Sequence, residues 1–171
     1  QVDHYLSTTG EEAKLIVVRL LGSRGHWSYG LERLHLWQLN KKSRNLIVMS
    51  GTEELDLELN RIGNINPNIT DILSQLFRMG GIENMSTSLR ILIDVLKDKK
   101  IDVSNYQIKV IDDPLTWDWQ DESGDKVGII LYKALYQSGD IELGSELNKS
   151  LRRNGLCPRT VWVSNLRNIK I

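Results

Sequence analysis

The side chains with the most chemistry per position lie in VRLLGSRGHWSYGLERL, which begins at Val18. Arg24 and the free amides of a helix start supply positive potential suited to a carboxylate, and Trp27 and Tyr29 offer flat faces for stacking on a ring. Arg19 shares a strand face with Leu15, Val17 and Leu21. Its guanidinium must therefore leave toward the strand end or pair with a carboxylate. Arg19, Arg24, Trp27 and Tyr29 are accordingly the candidate substrate-binding or interface residues. In the competing structural reading, Gly22 and Gly25 shape the turn, Trp27 fills the space beneath it, and Arg19 holds a neighbouring domain. One loop without convergent groups favours that structural role.

No other set of residues points to catalysis. His4, His26 and His35 are scattered, and Cys157 has no CxxC or HxxxH partner, so no metal site is expected. His35, four residues after Leu31, reads as a half-buried structural histidine. Cys157, before Pro158 at a strand start, reads as a small buried hydrophobe. Ser7–Gly10 (STTG) looks like a phosphate loop. No strand precedes it, however, and Glu11 and Glu12 follow where a phosphate needs amides and positive charge. No GxxxxGK[ST] motif occurs, so ATP is not bound by this chain through a Walker loop.

The elements that must position these residues alternate between strand and helix. Leu15–Leu21 is a β-branched apolar run of a strand buried on both faces. Leu31, Leu34 and Trp37 recur at helical spacing from Tyr29 to about Asn40, with Ser28 as N-cap. Asn45–Ser50 (NLIVMS) is a second strand, closed by Gly51, which completes a βαβ unit. Thr52–Pro67 reads as a surface connection holding one helical turn. An amphipathic helix capped by Asn68 then carries Ile69, Ile72, Leu73, Leu76 and Phe77 and stops at Gly80 and Gly81. The next helix, from about Glu83 to Lys97, is apolar nearly all round and is expected to be buried. Lys126–Tyr132 and Thr160–Val163 read as strands flanking a helix whose apolar face is Ile141, Leu143, Leu147 and Leu151.

This pattern predicts an α/β fold, an open mostly parallel sheet flanked by helices (flavodoxin-like or Rossmann-like), followed by the start of a second α/β unit. The expected organisation is an incomplete first domain over 1–98, an acidic Trp-containing linker over 99–125, and the first βαβ unit of a second, truncated domain over 126–171. Within the linker, IDDPLTWDWQDESGD has six acidic residues and no basic one. Trp117 and Trp119 there argue against full disorder, because indoles find a packing surface.

Twenty-two basic residues balance 22 acidic ones among the 171, so no basic field favours nucleic acid or an anionic membrane. One cysteine excludes an internal disulfide, and neither a signal peptide nor an apolar run of spanning length is present. A cytoplasmic location is expected. Gln1 at the start and RNIKI at the end suggest a piece of a longer protein.

Several separated blocks together carry a family resemblance: IVVRLLGSRGHWSYGLERL, LIVMSG, LSQLFRMGGIEN, KVGIILYKALYQSGD and LRRNGLCPRTVWVSNLR. In this order, from about Ala13 to Arg167, they resemble the N-terminal region of the cobaltochelatase large subunit, the CobN type. That type shares a wider family with the magnesium chelatase H subunit. The resemblance implies the substrate-binding subunit of an ATP-dependent enzyme inserting Co2+ into hydrogenobyrinic acid a,c-diamide during cobalamin synthesis. It implies Co2+ as substrate metal and Mg-ATP on separate ATPase subunits, with no cofactor in this portion. The implied partners are those ATPase subunits, the corrinoid and the rest of the large subunit, and this portion is itself non-catalytic. Two alternatives stay open: the corresponding part of a magnesium chelatase H subunit acting on protoporphyrin IX, and a flavodoxin-like regulatory or anion/nucleotide-binding module using Gly22–Ser28.

Overall fold

A computed structural model describes residues 1–52, 56–121 and 123–167. Parts of the 52–67 connection and the acidic stretch, and the RNIKI terminus from residue 168, lie outside the described residues. The chain forms two compact units, Gln1–Arg78 with Asn84–Ile108, and Met79–Glu83 with the chain from Lys109 onward.

The first unit contains helix α1 (Val2–Ser7), strand β1 (Leu15–Leu20), helix α2 (Ser28–Leu39), strand β2 (Asn45–Ser50), helix α3 (Pro67–Met79) and most of helix α4 (Ile82–Leu96). Strands β1 and β2 are parallel, in register from Leu15 opposite Asn45 to Leu20 opposite Ser50. Successive side chains of β2 point to opposite faces, and both faces are covered. Leu46 and Val48 join Leu31, Leu34 and Trp37 of α2, while Ile47 and Met49 join Ile72, Leu73 and Leu76 of α3 and Ile91 of α4. Leu46–Met49 are completely buried. Each such side chain contributes roughly 1.5–3 kcal/mol relative to exposure.

Local signals set the helix ends, with some shifts from expectation. α1 occupies the segment that leads into STTG, and the Ser7 hydroxyl donates to the His4 carbonyl. Helix α2 begins at Ser28, and no side chain caps it. Asn66, not Asn68, caps α3: its Oδ1 accepts from the Asn68 amide, its carbonyl from those of Ile69 and Thr70. Pro67 then fills the first helical position, where a missing amide costs nothing. Gly80 and Gly81 take φ of 65° and 81°, the left-handed geometry that stops α3. Helix α4 is amphipathic rather than buried all round, since Ile91 and Val95 are buried whereas Leu89, Ile93 and Leu96 are exposed.

The second unit contains strands β3 (Leu115–Trp117) and β4 (Lys126–Tyr132), helices α5 (Lys133–Ser138) and α6 (Glu142–Arg153), and strand β5 (Cys157–Val163). The order is β3-β5-β4, with β5 parallel to β4 and antiparallel to β3. The acidic Trp-containing stretch thus supplies β3. Buried Trp162 of β5 centres the core, edge-on to Trp117 at 5.7 Å between ring centroids. Helix α6 meets the sheet through Gly144 and Asn148, while Leu143 and Leu147, expected to face inward, are exposed. The indoles explain the reversal. A Cβ at Gly144 would lie 2.9 Å from Trp162 and 3.1 Å from Trp117 and Leu131, so only glycine lets the helix approach.

Asn148 is buried because its amide is satisfied: Oδ1 accepts from the Thr160 hydroxyl at 2.6 Å and Nδ2 donates to Asp118 at 3.0 Å. Arg152 also donates to Asp118, at 2.6 Å. Lys133 is similarly placed, donating to the Ile111 carbonyl at 2.9 Å with Asp113 3.9 Å away. The architecture is α/β, with a parallel two-stranded sheet and a mixed three-stranded sheet among the described residues, each with helices against it. Among those residues no helix is long and apolar enough to cross a membrane.

Candidate functional site

In open α/β sheets, ligand sites form beyond the carboxyl ends of parallel strands, where the connecting loops diverge. The first unit has a groove of about 730 Å3 built from the segments that follow β1 and β2. After β1, the turn Arg24–Trp27 contributes Arg24, and α2 contributes Ser28, Leu31, Glu32 and His35, which share one helix face by their spacing. After β2, the turn Leu59–Arg61 and its flanks contribute Glu58, Arg61 and Ile62. Buried Leu31 and half-buried Ile62 give the groove an apolar part.

The charged side chains of Arg24, Glu32, Glu58 and Arg61, together with His35, make no hydrogen bond or ion pair with one another or with any other described residue. Two cations, two anions and an imidazole therefore stay available to a ligand. Such a wall suits a molecule carrying both acceptors and donors, with the guanidiniums taking carboxylates. Among the described residues no group of three His, Cys, Asp or Glu side chains is arranged to hold a metal ion.

Of the four residues singled out by sequence, only Arg24 lines this groove. Arg19 is exposed and lies over the Phe77 ring of α3, 5.4 Å from its centroid. It follows Leu15 and Val17, which pack on the α3 side, so the strand's alternation carries it there. Trp27 lies against Gly30, where a Cβ would come within 2.0 Å of the indole. Tyr29 points to α1, donating to Asp3 at 2.6 Å, and Arg33 donates to the same carboxylate at 2.5 Å. The hydrogen bond from Tyr29, aided by Arg33, holds the Asp3 carboxyl below its ordinary range, and the same bond raises the Tyr29 phenol. His26 closes its own turn, Nδ1 accepting from the Ser23 amide at 3.2 Å. Gly22, at φ 107°, gives the ring room.

Sequence reasoning passed over Glu32, Glu58 and Arg61 and read His35 as structural. His35 is exposed in the groove rather than half-buried. The 28, 31, 32, 35 spacing was a readable signal for the α2 wall, but nothing local marked Glu58 and Arg61. Cys157 is buried as expected.

No family model matches the chain. An aerobic cobaltochelatase subunit CobN of Pseudomonas aeruginosa is 33% identical over 91 residues, 53% of this chain and 7% of that protein. The aerobic cobaltochelatase subunit CobN of a Sinorhizobium species is 26% identical over 187 aligned positions that take in 98% of this chain and 14% of that one. The chain is similar to CobN subunits over nearly its whole length. The fold agrees: a catalytic subunit of cobaltochelatase from Mycobacterium tuberculosis superposes with a TM-score of 0.79, covering 98% of this chain and 14% of the solved one, at 17% identity. This chain thus spans a small part of the length of the relatives it matches. Its resemblance is spread over both units and not confined to the Gly22–Ser28 loop.

Proposed function

We propose that this chain is a non-catalytic N-terminal portion of the large, substrate-binding subunit of an ATP-dependent cobaltochelatase. The parent enzyme inserts Co2+ into hydrogenobyrinic acid a,c-diamide in cobalamin synthesis, with Mg-ATP consumed on separate ATPase subunits in the cytoplasm. The observation that carries this reading is the agreement of a sequence relative and a fold relative, both cobaltochelatase subunits and each matching 98% of the chain. Within this portion Arg24 contacts a ligand or the rest of the enzyme through the groove, and Arg19, Trp27 and Tyr29 serve packing and interfaces.

The intact gene product tests the reading when mixed with its ATPase partners, Mg-ATP, Co2+ and the metal-free corrinoid. Corrinoid-dependent cobalt insertion is expected. Insertion of Mg2+ into protoporphyrin IX instead would move the protein to the magnesium chelatase branch, and absence of both activities in a product of native length would reject the chelatase assignment. Because the groove's unpaired arginines also suit a free anion, Arg24→Ala separates the readings. Corrinoid KM rises if the groove contacts substrate, whereas an anion or nucleotide module loses phosphate or nucleotide binding without any chelatase activity to change.

A further inference from the structure

Strand β4 stands at the edge of its sheet and, among the described residues, pairs only with β5. The Cys157 amide donates to the Asp125 carbonyl, and the register runs from Lys126 opposite Cys157 to Tyr132 opposite Val163. In a parallel pair, alternate residues of a strand bond to the neighbour. Val127, Ile129 and Leu131 therefore face β5, while the amides and carbonyls of Gly128, Ile130 and Tyr132 point to the open side. The same three residues, with Lys126, are the exposed ones of β4: Ile130 is 59% and Tyr132 67% exposed, and no atom lies within 4 Å of a Cβ at Gly128.

Solvent-facing edges are ordinarily blunted by proline, inward charge or a bulge. Lys126 opens the strand with one exposed charge, but the run VGIIL that follows has no proline and no charge, and its register with β5 is unbroken. Parallel strands are also ordinarily covered on both faces. This edge is built to be paired. We propose that a further strand of the same, longer polypeptide pairs with the outer edge of β4, its own side chains flanking Ile130 and Tyr132 on the sheet face. The relatives name the source: 98% of this chain matches only 14% of a CobN subunit, so most of such a protein is available as cover. The inference rests on reading the chain as part of a chelatase large subunit.

Residue-resolved hydrogen exchange on the intact gene product tests it with an internal control. A free edge gives a sawtooth, with Gly128, Ile130 and Tyr132 exchanging on the order of 100-fold faster than Val127, Ile129 and Leu131. A paired edge slows all six to within about tenfold of one another, which is the expected result; the sawtooth overturns the proposal. Ile130→Cys in the intact protein gives a second measurement, read as the maleimide adduct on the peptide that carries residue 130 and so kept apart from buried Cys157 and any other thiol. Resistance to maleimide is expected, and labelling as fast as at an exposed surface thiol overturns it. Protection that disappears on dilution assigns the edge to a second copy and also overturns it. The mass of the gene product separates the two levels: a product no longer than this chain defeats the large-subunit reading, whereas a long product with a sawtooth defeats only the added strand.

Discussion

Strands β2 and β4 are both short, apolar and parallel to one neighbour, yet their surroundings are opposite. In β2, Leu46, Ile47, Val48 and Met49 are buried, because α2 covers one face and α3 and α4 the other. In β4, exposure alternates along the strand. The covered face meets an indole core with a polar seam, and the bare face carries Ile130 and Tyr132. The difference teaches that the first unit stabilises its sheet with its own aliphatic layers, whereas the second relies on a few exact fits and on an edge left for another strand.

The largest expected effect comes from breaking the β2 side. Ile47→Ala removes a completely buried side chain between β2 and the α3 and α4 layer. A loss of about 2–5 kcal/mol is expected, read as a fall in the denaturant midpoint with unchanged m-value. A loss below about 1 kcal/mol would mean that the layer collapses around the gap.

On the other side, Asn148→Ala strips the Thr160 hydroxyl of its acceptor and Asp118 of one donor. An unsatisfied buried group costs about 1–3 kcal/mol, and Asn148→Leu combined with Thr160→Val should recover most of that by removing both partners. A double variant no better than the single would show that the seam supplies more than mutual satisfaction. Gly144→Ala comes next, at about 1–3 kcal/mol of overpacking against Trp162, partly offset by the roughly 1 kcal/mol that alanine adds to a helix. Gly30→Ala presses on Trp27, but that ring is partly exposed and can swing outward. Its melting shift should therefore be the smaller of the two, and the reverse order would place Trp27 in a rigid interface.

These same residues mark how far the sequence could be read. The β1 and β2 runs, the βα alternation and the Gly80–Gly81 stop were legible, because uninterrupted apolar runs and glycine punctuation have local causes. The inward face of α6 was not. Leu143 and Leu147 outrank Gly144 and Asn148 in hydrophobicity, and the reason for the reversal lies in Trp117 and Trp162, distant in sequence. Strand β3 was hidden for a similar reason, since LTW acquires strand character only by pairing with Trp162, Val161 and Thr160. At the groove, Arg24 was legible from its loop, but its companions Glu58 and Arg61 reach it only through the path of the chain after β2.

A gentler probe of the polar seam is pH. Burial pushes the Asp118 carboxyl upward, but hydrogen bonds from Arg152, Asn148 and Gln120 together outweigh it and leave the carboxyl below its ordinary range. A group lowered on folding stabilises the protein above its unfolded pKa, about 4 for aspartate, and loses that contribution as pH falls through the lower folded value. Unit two should therefore weaken on acidification below that range, and Asp118→Asn should flatten its acid limb while leaving Ile47 and its neighbours unaffected. An unchanged acid limb would assign the sensitivity to other carboxylates.

The smallest effect is also the sharpest control on the comparison. Ile130→Ala in β4 repeats the chemistry of Ile47→Ala in β2, so side-chain size and strand propensity are matched and only the surroundings differ. The Ile130 side chain is more than half exposed, and surface substitutions ordinarily stay within about 0.5 kcal/mol. Measured on this chain by denaturant unfolding, the substitution should fall in that band, far below its counterpart in β2. The ranking changes if a further strand flanks the side chain: in the intact gene product Ile130→Ala should then cost several times more than in the chain alone, because the methyl groups it removes lie in an interface. Equal and small costs in both would leave β4 a solvent edge, and a large cost already present in this chain would mean that β4, like β2, is insulated by the elements described here.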